Sequence, residues 1–426
     1  MLIGIFVVSL LAAMALGVPI AFSLIACSMA MMWYMDFFDA QIVAQNMLSG
    51  ADSFPLIAIP FFVLAGELMN AGGISRRIVA VASAWVGHFS GGLGYVAIFA
   101  CVIMASLSGS AIADTAAVAA LLMPMMRDAG YSVPRASGLI ASGGIVAPII
   151  PPSIGFVMLG VVGNISITKL FMAGIVPGIM MALALVATWA FQARRDGMPR
   201  GEKKSSRQRW SATIAGFWAL LMPVIIVGGL RGGYFTPTEA AVVAVFYALF
   251  VGFCVYRELK VGALYGLLLA AGKTSAIVMF LVAAAQVSAW LIAAANIPMA
   301  VADILQPFTD SPILLMLAIM LLVFVVGTVL DFAPTILILV PVLMPTVRMA
   351  GIDPVYFGVL FIMNNAIGLI TPPVGTVLNV VCGVARVRME PVFRAVTPYL
   401  LAQMSVLLLL LLFPQLVLAP LDFFIR

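Results

Sequence analysis

The stretch GGIVAPIIPPSIG at residues 143–155 places two adjacent prolines in the middle of an apolar run. The pattern returns as NNAIGLITPPVG at residues 364–375, so the second proline pair lies 221 residues after the first (from 151 to 372). Two successive prolines remove two backbone N–H donors and clash with the preceding turn, so a helix must unwind where they occur. The sequence therefore predicts two broken helices, one in each half of the chain.

The composition places these broken helices in a membrane. The chain has 426 residues, of which 64% are hydrophobic and 9% are charged, and its mean hydropathy is +1.22. Soluble domains carry about 25% charged residues, so a soluble globular protein is excluded. One histidine and four scattered cysteines exclude histidine metal clusters and a serine–histidine triad. At about 20 residues per crossing, the sequence predicts an all-α polytopic membrane protein.

The apolar runs define candidate membrane elements. Single spans are expected at about 2–17, 19–34, 53–71, 136–168, 170–192, 212–231, 236–256, 263–294, 355–384 and 396–420. Two further segments, 89–126 and 312–347, are interrupted by small and polar residues and are predicted to be re-entrant hairpins.

The basic residues give an orientation. Seven of the 21 Lys and Arg residues lie in the loop 194–209, which is therefore predicted to be cytoplasmic. Counting the spans from this loop places both termini outside. The ends of the first hairpin then lie on the cytoplasmic side, and those of the second hairpin lie on the outer side. The proline pairs, Pro124 with Pro345, and Arg127 with Arg348 all match at the same offset. The halves are thus predicted to be inverted repeats, which are typical of secondary transporters with a site near the membrane midplane.

Each hairpin contains one carboxylate and one hydroxyl in exchanged positions. At the repeat offset, Ser110 aligns with Asp331, and Asp114 aligns with Thr335. A carboxylate within the membrane costs about 2.5–3.5 kcal/mol on insertion scales, so it needs a partner or a water-filled site. Unwound carbonyls at 147–150 and 368–371 can bind a hard cation such as Na⁺, and each new helix N-terminus favours an anion. The alternative is that the prolines only kink their helices.

Two cation sites and one anion site follow from this arrangement. Cation site 1 is predicted to comprise Ser106, Ser108, Gly109, Ser110, Asp114, Ala147, Ile150 and Pro151. Cation site 2 is predicted to comprise Gly327, Thr328, Asp331, Thr335, Gly368, Thr371 and Pro372. The substrate anion is expected at Pro152, Ser153, Gly155, Pro373, Gly375 and Thr376. Na⁺ is the expected metal and coupling ion, and no cofactor is expected. Arg127 and Arg348 are expected either to cap a helix C-terminus or to attract an anion.

Several motifs give the chain a family resemblance from end to end. They are SGSAIADTAAVAALLMPMM, GGIVAPIIPPSIG, LFMAGIVPG, FTPTEA and GLITPPVGTVLNVVCGVA. With them the chain resembles the large membrane subunit of a tripartite ATP-independent periplasmic (TRAP) transporter. The resemblance implies Na⁺-coupled import across the bacterial inner membrane by an elevator mechanism. It also implies two partners, a small four-helix membrane subunit and a soluble periplasmic substrate-binding protein.

The resemblance also implies a division of the chain. The expected segments are scaffold helices and an arm at 1–88, transport-domain hairpin and broken helix 1 at 89–168, connecting and scaffold helices at 169–306, hairpin and broken helix 2 at 307–385, and a C-terminal helix at 386–426. More distantly, the pattern is similar to sodium–dicarboxylate symporters, whose hairpin tips read Ser-Asn-Thr. This chain has Asp114-Thr115-Ala116 and Thr335-Ile336-Leu337 there, which favours backbone carbonyls as ligands.

The expected substrate is an anionic organic acid. The stretch at 50–73, GADSFPLIAIPFFVLAGELMNAGG, is similar to that of family members that transport sugar acids, including sialic acid and diketogulonate. A C4-dicarboxylate remains an alternative substrate. Two other functions stay open as well. One is a cation/proton antiporter, and the other is an intramembrane aspartyl enzyme using Asp114 and Asp331. An enzyme is not expected, because the sequence contexts of such proteases are missing.

Overall fold

The computed structural model describes residues 2–301 and 311–425, and it is helical throughout those ranges apart from turns and an isolated bridge between Ser90 and Arg200. The predicted boundary between residues 306 and 307 lies outside the described residues. In chain order the helices are α1 (Leu2–Ala15), α2 (Ile20–Tyr34), α3 (Ala40–Ala51), α4 (Ala58–Ala71), α5 (Ile74–Val86), α6 (Gly92–Ser108), α7 (Ala111–Asp128), α8 (Val133–Gly144), α9 (Ile154–Gly163), α10 (Ile167–Arg195), α11 (Ser206–Arg231), α12 (Pro237–Phe250), α13 (Val261–Ala294), α14 (Pro312–Gly327), α15 (Phe332–Met349), α16 (Pro354–Gly368), α17 (Thr376–Ala385), α18 (Met389–Leu412) and α19 (Gln415–Ile425).

Two kinds of apolar helix make up the fold. Among the described residues, 7 helices are long and apolar enough to cross a membrane, and the longest has 34 residues. Other apolar helices have 10–17 residues, which is shorter than the roughly 20 needed for a crossing. Several of these join a neighbouring helix in a pair, and Phe332–Met349, one of the 7, also belongs to such a pair. Hairpin 1 consists of α6 and α7, and hairpin 2 consists of α14 and α15. Broken helix 1 consists of α8 and α9, and broken helix 2 consists of α16 and α17. All four lie where the sequence predicts them.

The predicted single span at 396–420 is wrong, because the chain forms two helices there. α18 ends at Leu412 and α19 begins at Gln415. Pro414 disfavours helical backbone at the residue before it, and Phe413 accordingly has φ −124° and ψ 76°. The helices α3 and α5 are also absent from the predicted spans.

Contacts between the ends of helices show that the two hairpins open on opposite faces. At the open end of hairpin 1, the Ser90 hydroxyl donates to the Met198 carbonyl at 2.8 Å, so this end lies on the face of the basic loop. Early in α18, the Tyr399 hydroxyl donates to Gln192 Oε1 at 2.6 Å, near the end of α10 that leads into the same loop. The far end of α18 therefore reaches the other face, and there Tyr356, just after hairpin 2, bonds to the Leu410 carbonyl at 3.2 Å. The repeats are inverted, as predicted.

Two arginines join the repeats to each other. Arg127, at the end of hairpin 1, donates to the carbonyl of Ala385 at 3.0 Å, which is the last residue of α17 in broken helix 2. Arg348, at the end of hairpin 2, donates to the carbonyls of Gly163 and Asn164 at 2.9 and 3.3 Å, at the end of α9 in broken helix 1. Each hairpin thus caps the second half-helix of the opposite repeat. The predicted role as a helix C-terminal cap is confirmed.

Helix α5 lies along the face of the basic loop. Near its start, Arg77 forms an ion pair with Glu258 at 2.7 Å, just after the end of α12 on that face. Near its end, the Trp85 indole donates to Thr213 Oγ1 at 2.9 Å, in the first turns of α11 after the loop. Both ends of α5 therefore lie on one side of the membrane, where the helix connects α4 to hairpin 1.

Candidate cation and anion sites at the hairpin tips

The tip of hairpin 1 is a turn of two residues, Gly109 and Ser110, between two helices. α6 ends at Ser108, Gly109 follows with φ +63°, and Ser110 caps α7 by accepting the Ala113 N–H at 3.4 Å. A side chain at Gly109 would stand 2.8 Å from the Ser153 Cα, so the tip lies directly against the break of helix 1. The glycine is required both by its left-handed backbone and by this close approach.

Asp114 lies one turn beyond this tip. It is 1% exposed, and its Oδ1 accepts the Ser108 hydroxyl at 2.6 Å. Its Oδ2 is buried and has no hydrogen-bond partner among the described residues. A buried charged oxygen without a partner is costly, so Asp114 supplies one strong acceptor that a cation or a proton can satisfy.

Broken helix 1 provides carbonyl oxygens next to this tip. Between α8 and α9, the carbonyls of Ala147, Ile149 and Ile150 accept no N–H bond from the described backbone. The Pro148 carbonyl is engaged, because it accepts the Ser153 hydroxyl at 2.5 Å. Three of the predicted site residues also line one cavity of about 320 Å³, namely Ser106, Ile150 and Pro151. The structure thus gathers most of cation site 1 around one tip, except that the Ser106 hydroxyl donates within its own helix, to Ile103, at 2.6 Å.

The tip of hairpin 2 has a longer turn. α14 ends at Gly327, and Asp331 precedes α15 at the position that Ser110 has in hairpin 1. The aligned pair is therefore structurally equivalent, as the repeat offset predicts. Unlike Ser110, the Asp331 side chain makes no capping bond. Its Oδ1 instead accepts the hydroxyl of Thr376 at 3.3 Å, at the start of α17.

The tip of hairpin 2 also lies against its broken helix. A side chain at Gly368 would stand 2.6 Å from the Gly327 carbonyl oxygen, so two glycines allow this approach. The Val374 N–H donates to the Thr328 carbonyl at 3.3 Å across the same contact. Thr335 is buried, and its hydroxyl donates to the Asp331 carbonyl at 2.9 Å.

Only part of the carbonyl set predicted at 368–371 is free. The Gly368 carbonyl accepts the Thr371 N–H at 2.9 Å, and the Leu369 carbonyl accepts the Val377 N–H at 3.1 Å. The carbonyls of Ile370 and Thr371 accept no N–H bond from the described backbone. The Thr371 hydroxyl is engaged within its own turn, with the Ile367 carbonyl at 2.9 Å. For cation site 2, backbone oxygens at 370–371 and the Asp331 carboxylate are the available ligands.

The predicted anion residues fall into two environments. Pro152, Ser153 and Gly155 are buried, and the Ser153 hydroxyl is used to cap α9 through the Phe156 N–H at 3.2 Å. In the second repeat, Pro373 is exposed and Thr376 is half-buried. The unwound segment of broken helix 2 is therefore the more accessible of the two.

The residues Asp331 and Phe332 lie between the two new helix N-termini. The Phe332 ring packs on Gly155 near the start of α9, so closely that a side chain at Gly155 would collide with the ring. Asp331 contacts Thr376 at the start of α17. Two adjacent residues of hairpin 2 thus contact the starts of both second half-helices, α9 and α17.

Sequence reasoning missed one polar residue at this centre. Asn365 is fully buried; its Nδ2 donates to the Phe332 carbonyl at 2.9 Å, and its Oδ1 has no partner among the described residues. A side chain added at Gly327 would stand 3.1 Å from that Oδ1, so the free oxygen faces the tip of hairpin 2. The signal in the sequence is two adjacent asparagines in an apolar run. Asn365 joins Asp331 as a candidate ligand of cation site 2.

The arrangement offers acceptors for cations and dipoles for an anion. Carboxylate, amide and carbonyl oxygens are the ligands that hard cations prefer. No group of three or more His, Cys, Asp or Glu side chains suited to a transition metal occurs in the described part of the chain. The free oxygens at the two tips are therefore backbone carbonyls and single side-chain oxygens.

Comparison with known proteins gives a single family. Residues 7–416 match the family described as "Tripartite ATP-independent periplasmic transporter, DctM component". The chain is 58% identical over 421 residues to the 2,3-diketo-L-gulonate TRAP transporter large permease protein YiaN of Escherichia coli, covering 99% of both chains. It is 41% identical to the sialic acid TRAP transporter large permease protein SiaM of Vibrio cholerae, covering 94% of this chain and 93% of that protein. It is 34% identical to the C4-dicarboxylate TRAP transporter large permease protein DctM of Rhodobacter capsulatus, covering 96% of both.

A solved structure has the same fold. The Alcanivorax borkumensis YdaH transporter aligns with a TM-score of 0.62 at 15% identity, covering 88% of this chain and 89% of that one. At this level of identity the likeness concerns the fold alone.

Proposed function

We propose a function from one established fact: this chain belongs to the family of large permease subunits of tripartite ATP-independent periplasmic transporters. Members of this family are multi-pass proteins of the bacterial inner membrane that carry out secondary transport of organic acids together with a small membrane subunit and a periplasmic binding protein. The finer proposal is that this chain imports an anionic sugar acid, coupled to Na⁺, by an elevator motion.

The carboxylates at the two hairpin tips carry the proposal of cation coupling. Asp331 lies beside the N-terminus of α17, where the anion would bind. The carboxylate of Asp331 and a substrate anion bound at this N-terminus would repel each other. The anion therefore binds well only when a cation neutralises Asp331. Asp114 presents a buried oxygen without a partner in the other repeat. This electrostatic requirement couples substrate binding to cation binding.

The relatives support a sugar acid as the substrate. A permease named for 2,3-diketo-L-gulonate shares 58% identity with this chain, one named for sialic acid shares 41%, and one named for C4-dicarboxylates shares 34%. The proposed order of preference follows these values. All three substrate classes carry a carboxylate, which suits the helix N-termini at residues 155 and 376.

The crossed arginine caps support an elevator motion. Arg127 binds hairpin 1 to broken helix 2, and Arg348 binds hairpin 2 to broken helix 1. These elements, residues 89–168 and 307–385, are proposed to move together as the transport domain. The helices at 1–88 and 169–306, and the C-terminal helices at 386–426, would be the static scaffold.

The test is uptake by proteoliposomes that contain this chain, its small membrane subunit and its binding protein. Labelled 2,3-diketo-L-gulonate, sialic acid and succinate are supplied with an inward Na⁺ gradient or with K⁺ in its place. Uptake of a sugar acid that depends on the Na⁺ gradient is expected. Uptake that is equal in K⁺ would contradict the coupling, and uptake of succinate alone would contradict the substrate class.

Site variants in the same assay test the residues. Asp331→Ala and Ser110→Ala should abolish uptake, because each removes a polar group from one hairpin tip, while assembly with the small subunit stays intact. Asp128→Ala is the matched control, since Asp128 is an exposed carboxylate at the last residue of α7, at the opposite end of that helix from the tip. Normal uptake by both tip variants would reject the proposed sites.

A further inference from the structure

A basic cavity opens on the face of the membrane that carries the basic loop. It has a volume of about 700 Å³ and lies between the corner joining α5 to α6 and the end of α10. Its walls are formed by His88, Phe89, Ser90, Tyr95, Arg194, Gly197, Met198 and Arg200. Two arginines line it, and no acidic residue does so. The cavity therefore has the electrostatics of an anion site.

The loop that forms one wall is fixed in place. Ser90 pairs with Arg200 in an isolated bridge, and the Ser90 hydroxyl donates to the Met198 carbonyl at 2.8 Å. The Gly91 N–H also donates to the Pro199 carbonyl at 3.0 Å. These bonds hold the backbone of Arg200 beside the start of α6, so the cavity is a built feature of the fold.

An apolar groove continues from the cavity into the membrane. It has a volume of about 510 Å³ and shares Phe89, Tyr95 and Arg194 with the cavity. Its remaining walls are Val86, Ile98, Phe99, Val102, Ile179, Ala182, Leu183, Val186 and Ala190. Along α10, the 15 residues from Arg194 to Ile179 cover about 22 Å at 1.5 Å per residue. That length exceeds half of the roughly 30 Å hydrocarbon core, so the groove reaches past the level of one leaflet.

We propose that the cavity and the groove form one binding site for an anionic phospholipid. The phosphate lies in the cavity, where the guanidinium groups of Arg194 and Arg200 bind it, because arginine matches the geometry of phosphate oxygens. One acyl chain lies in the groove between α6 and α10. Tyr95 stands at the junction with an apolar ring and a polar hydroxyl, as expected at the membrane interface.

His88 adds a further polar group to the headgroup end. Its ring lies tilted against Phe89 at 4.2 Å between centroids, and its Nδ1 is buried. The other ring nitrogen, Nε2, is therefore the one that can donate to a headgroup oxygen from the cavity wall, in the tautomer that protonates it.

The two-part shape favours a lipid over a soluble anion. A free phosphate or organic acid would fill only the cavity and leave the groove without a role. Residues of the groove such as Phe99, Ile179 and Leu183 are 40%, 47% and 60% exposed, so they face the hydrocarbon where an acyl chain is always available. Basic residues at this level also attract anionic lipids from the leaflet.

The test is native mass spectrometry of the delipidated permease with its small subunit, titrated with phosphatidylglycerol. Phosphatidylcholine tests the charge of the headgroup, and glycerol 3-phosphate tests the headgroup without acyl chains. Phosphatidylglycerol is expected to bind about tenfold or more tightly than either. If phosphatidylcholine binds equally tightly, the proposal that the cavity selects an anionic headgroup is wrong. If glycerol 3-phosphate binds equally tightly, the proposal that the groove binds an acyl chain is wrong.

Variants locate the site. Arg194→Gln with Arg200→Gln should weaken phosphatidylglycerol binding about tenfold, and Arg194→Lys with Arg200→Lys should keep most of it. Lys203→Gln with Lys204→Gln is the matched control, because both lysines are exposed in the same loop and do not line the cavity. Ala190→Trp fills the groove and should weaken lipid binding without any change at the arginines. An equal loss in the lysine control, or no loss in the arginine pair, would overturn the proposal.

Discussion

The Asp114 carboxylate is held by one hydrogen bond, from the Ser108 hydroxyl at 2.6 Å, while its second oxygen is buried without a partner. Asp331 differs in its exposure: it is half-buried, and its Oδ1 accepts the Thr376 hydroxyl at the longer distance of 3.3 Å. The two carboxylates therefore differ in what they need. The second oxygen of Asp114 needs a cation or a proton in the resting structure, whereas in our proposal Asp331 needs a cation only when an anion arrives.

Replacing Asp114 by asparagine tests this difference. The amide keeps the shape and a bond to Ser108 but removes the charge that would bind Na⁺. A ligand that binds only the folded state adds about 2.7 kcal/mol of stability at a hundred times its Kd. Wild-type protein should therefore melt at a higher temperature in NaCl than in KCl, and Asp114→Asn should lose half or more of that increase. The measurement is a thermal unfolding series in detergent at constant ionic strength.

Asp128→Asn serves as the control for this experiment, because Asp128 is exposed. It should keep the full effect of NaCl. An unchanged NaCl effect in Asp114→Asn would show that this carboxylate does not bind the cation.

Among the helices, the broken pairs could be predicted from the sequence because their signals are local. Adjacent prolines stop a helix wherever they occur, and the glycine and hydroxyl residues of a hairpin tip are consecutive in the chain. The break at Pro414 has a weaker local signal, a single proline, and the long apolar run around it predicts one helix where the chain forms two. The short helix α5 is absent from the predicted spans because it is only 13 residues long and carries two arginines. Both features suit a helix that lies along the membrane surface.

Contacts that join distant elements could not be predicted in this way. The sequence indicated that Arg127 and Arg348 cap helices, but not which helices. The free oxygen of Asn365 faces Gly327, and Asp331 accepts the Thr376 hydroxyl of another helix. Each of these facts depends on how two segments pack, and the packing is not encoded by the spacing of either segment alone.

Removal of the arginine caps should loosen the link between the repeats. Arg127→Gln and Arg348→Gln should each lower the free energy of unfolding by about 1 kcal/mol, as expected for a charged bond at a partly exposed helix end. Because the two caps lie at opposite ends of the protein, the double variant should show nearly the sum. Equilibrium unfolding in a mild detergent, monitored by intrinsic fluorescence, measures the effect.

Arg394→Gln is a suitable comparison for the caps. Its partner Glu390 is four residues away, and both side chains are more than three-quarters exposed, at 79% and 77%. Such pairs contribute about 0.5 kcal/mol or less. If Arg127→Gln lowers the free energy of unfolding no more than Arg394→Gln does, the cap does not stabilise the fold.

For the complete chain, the distribution of basic residues predicts which face is cytoplasmic. The structure shows that hairpin 1 and the loop 194–209 share one face, and hairpin 2 and the end of α18 share the other. The positive-inside rule assigns the loop to the cytoplasm. Both termini of the chain are then expected on the periplasmic side.

Cysteine labelling of intact cells checks this orientation. In a background without the four native cysteines, Gly4→Cys and Ile425→Cys should react with a membrane-impermeant maleimide. Lys203→Cys, in the basic loop, should react only after the cells are opened. A protected Ile425→Cys together with a labelled Lys203→Cys would reverse the assignment.

The crossed arginine caps also set an order of events during synthesis. Arg127 is made 258 residues before its acceptor at Ala385, whereas Arg348 is made 185 residues after its acceptor at Gly163. At about 5–20 residues per second, the ribosome needs roughly 13–50 s to supply the first of these partners. Over that interval the native acceptor of Arg127 does not yet exist. The first half of this permease therefore acquires its full set of native contacts only when nearly all of the described chain has been made.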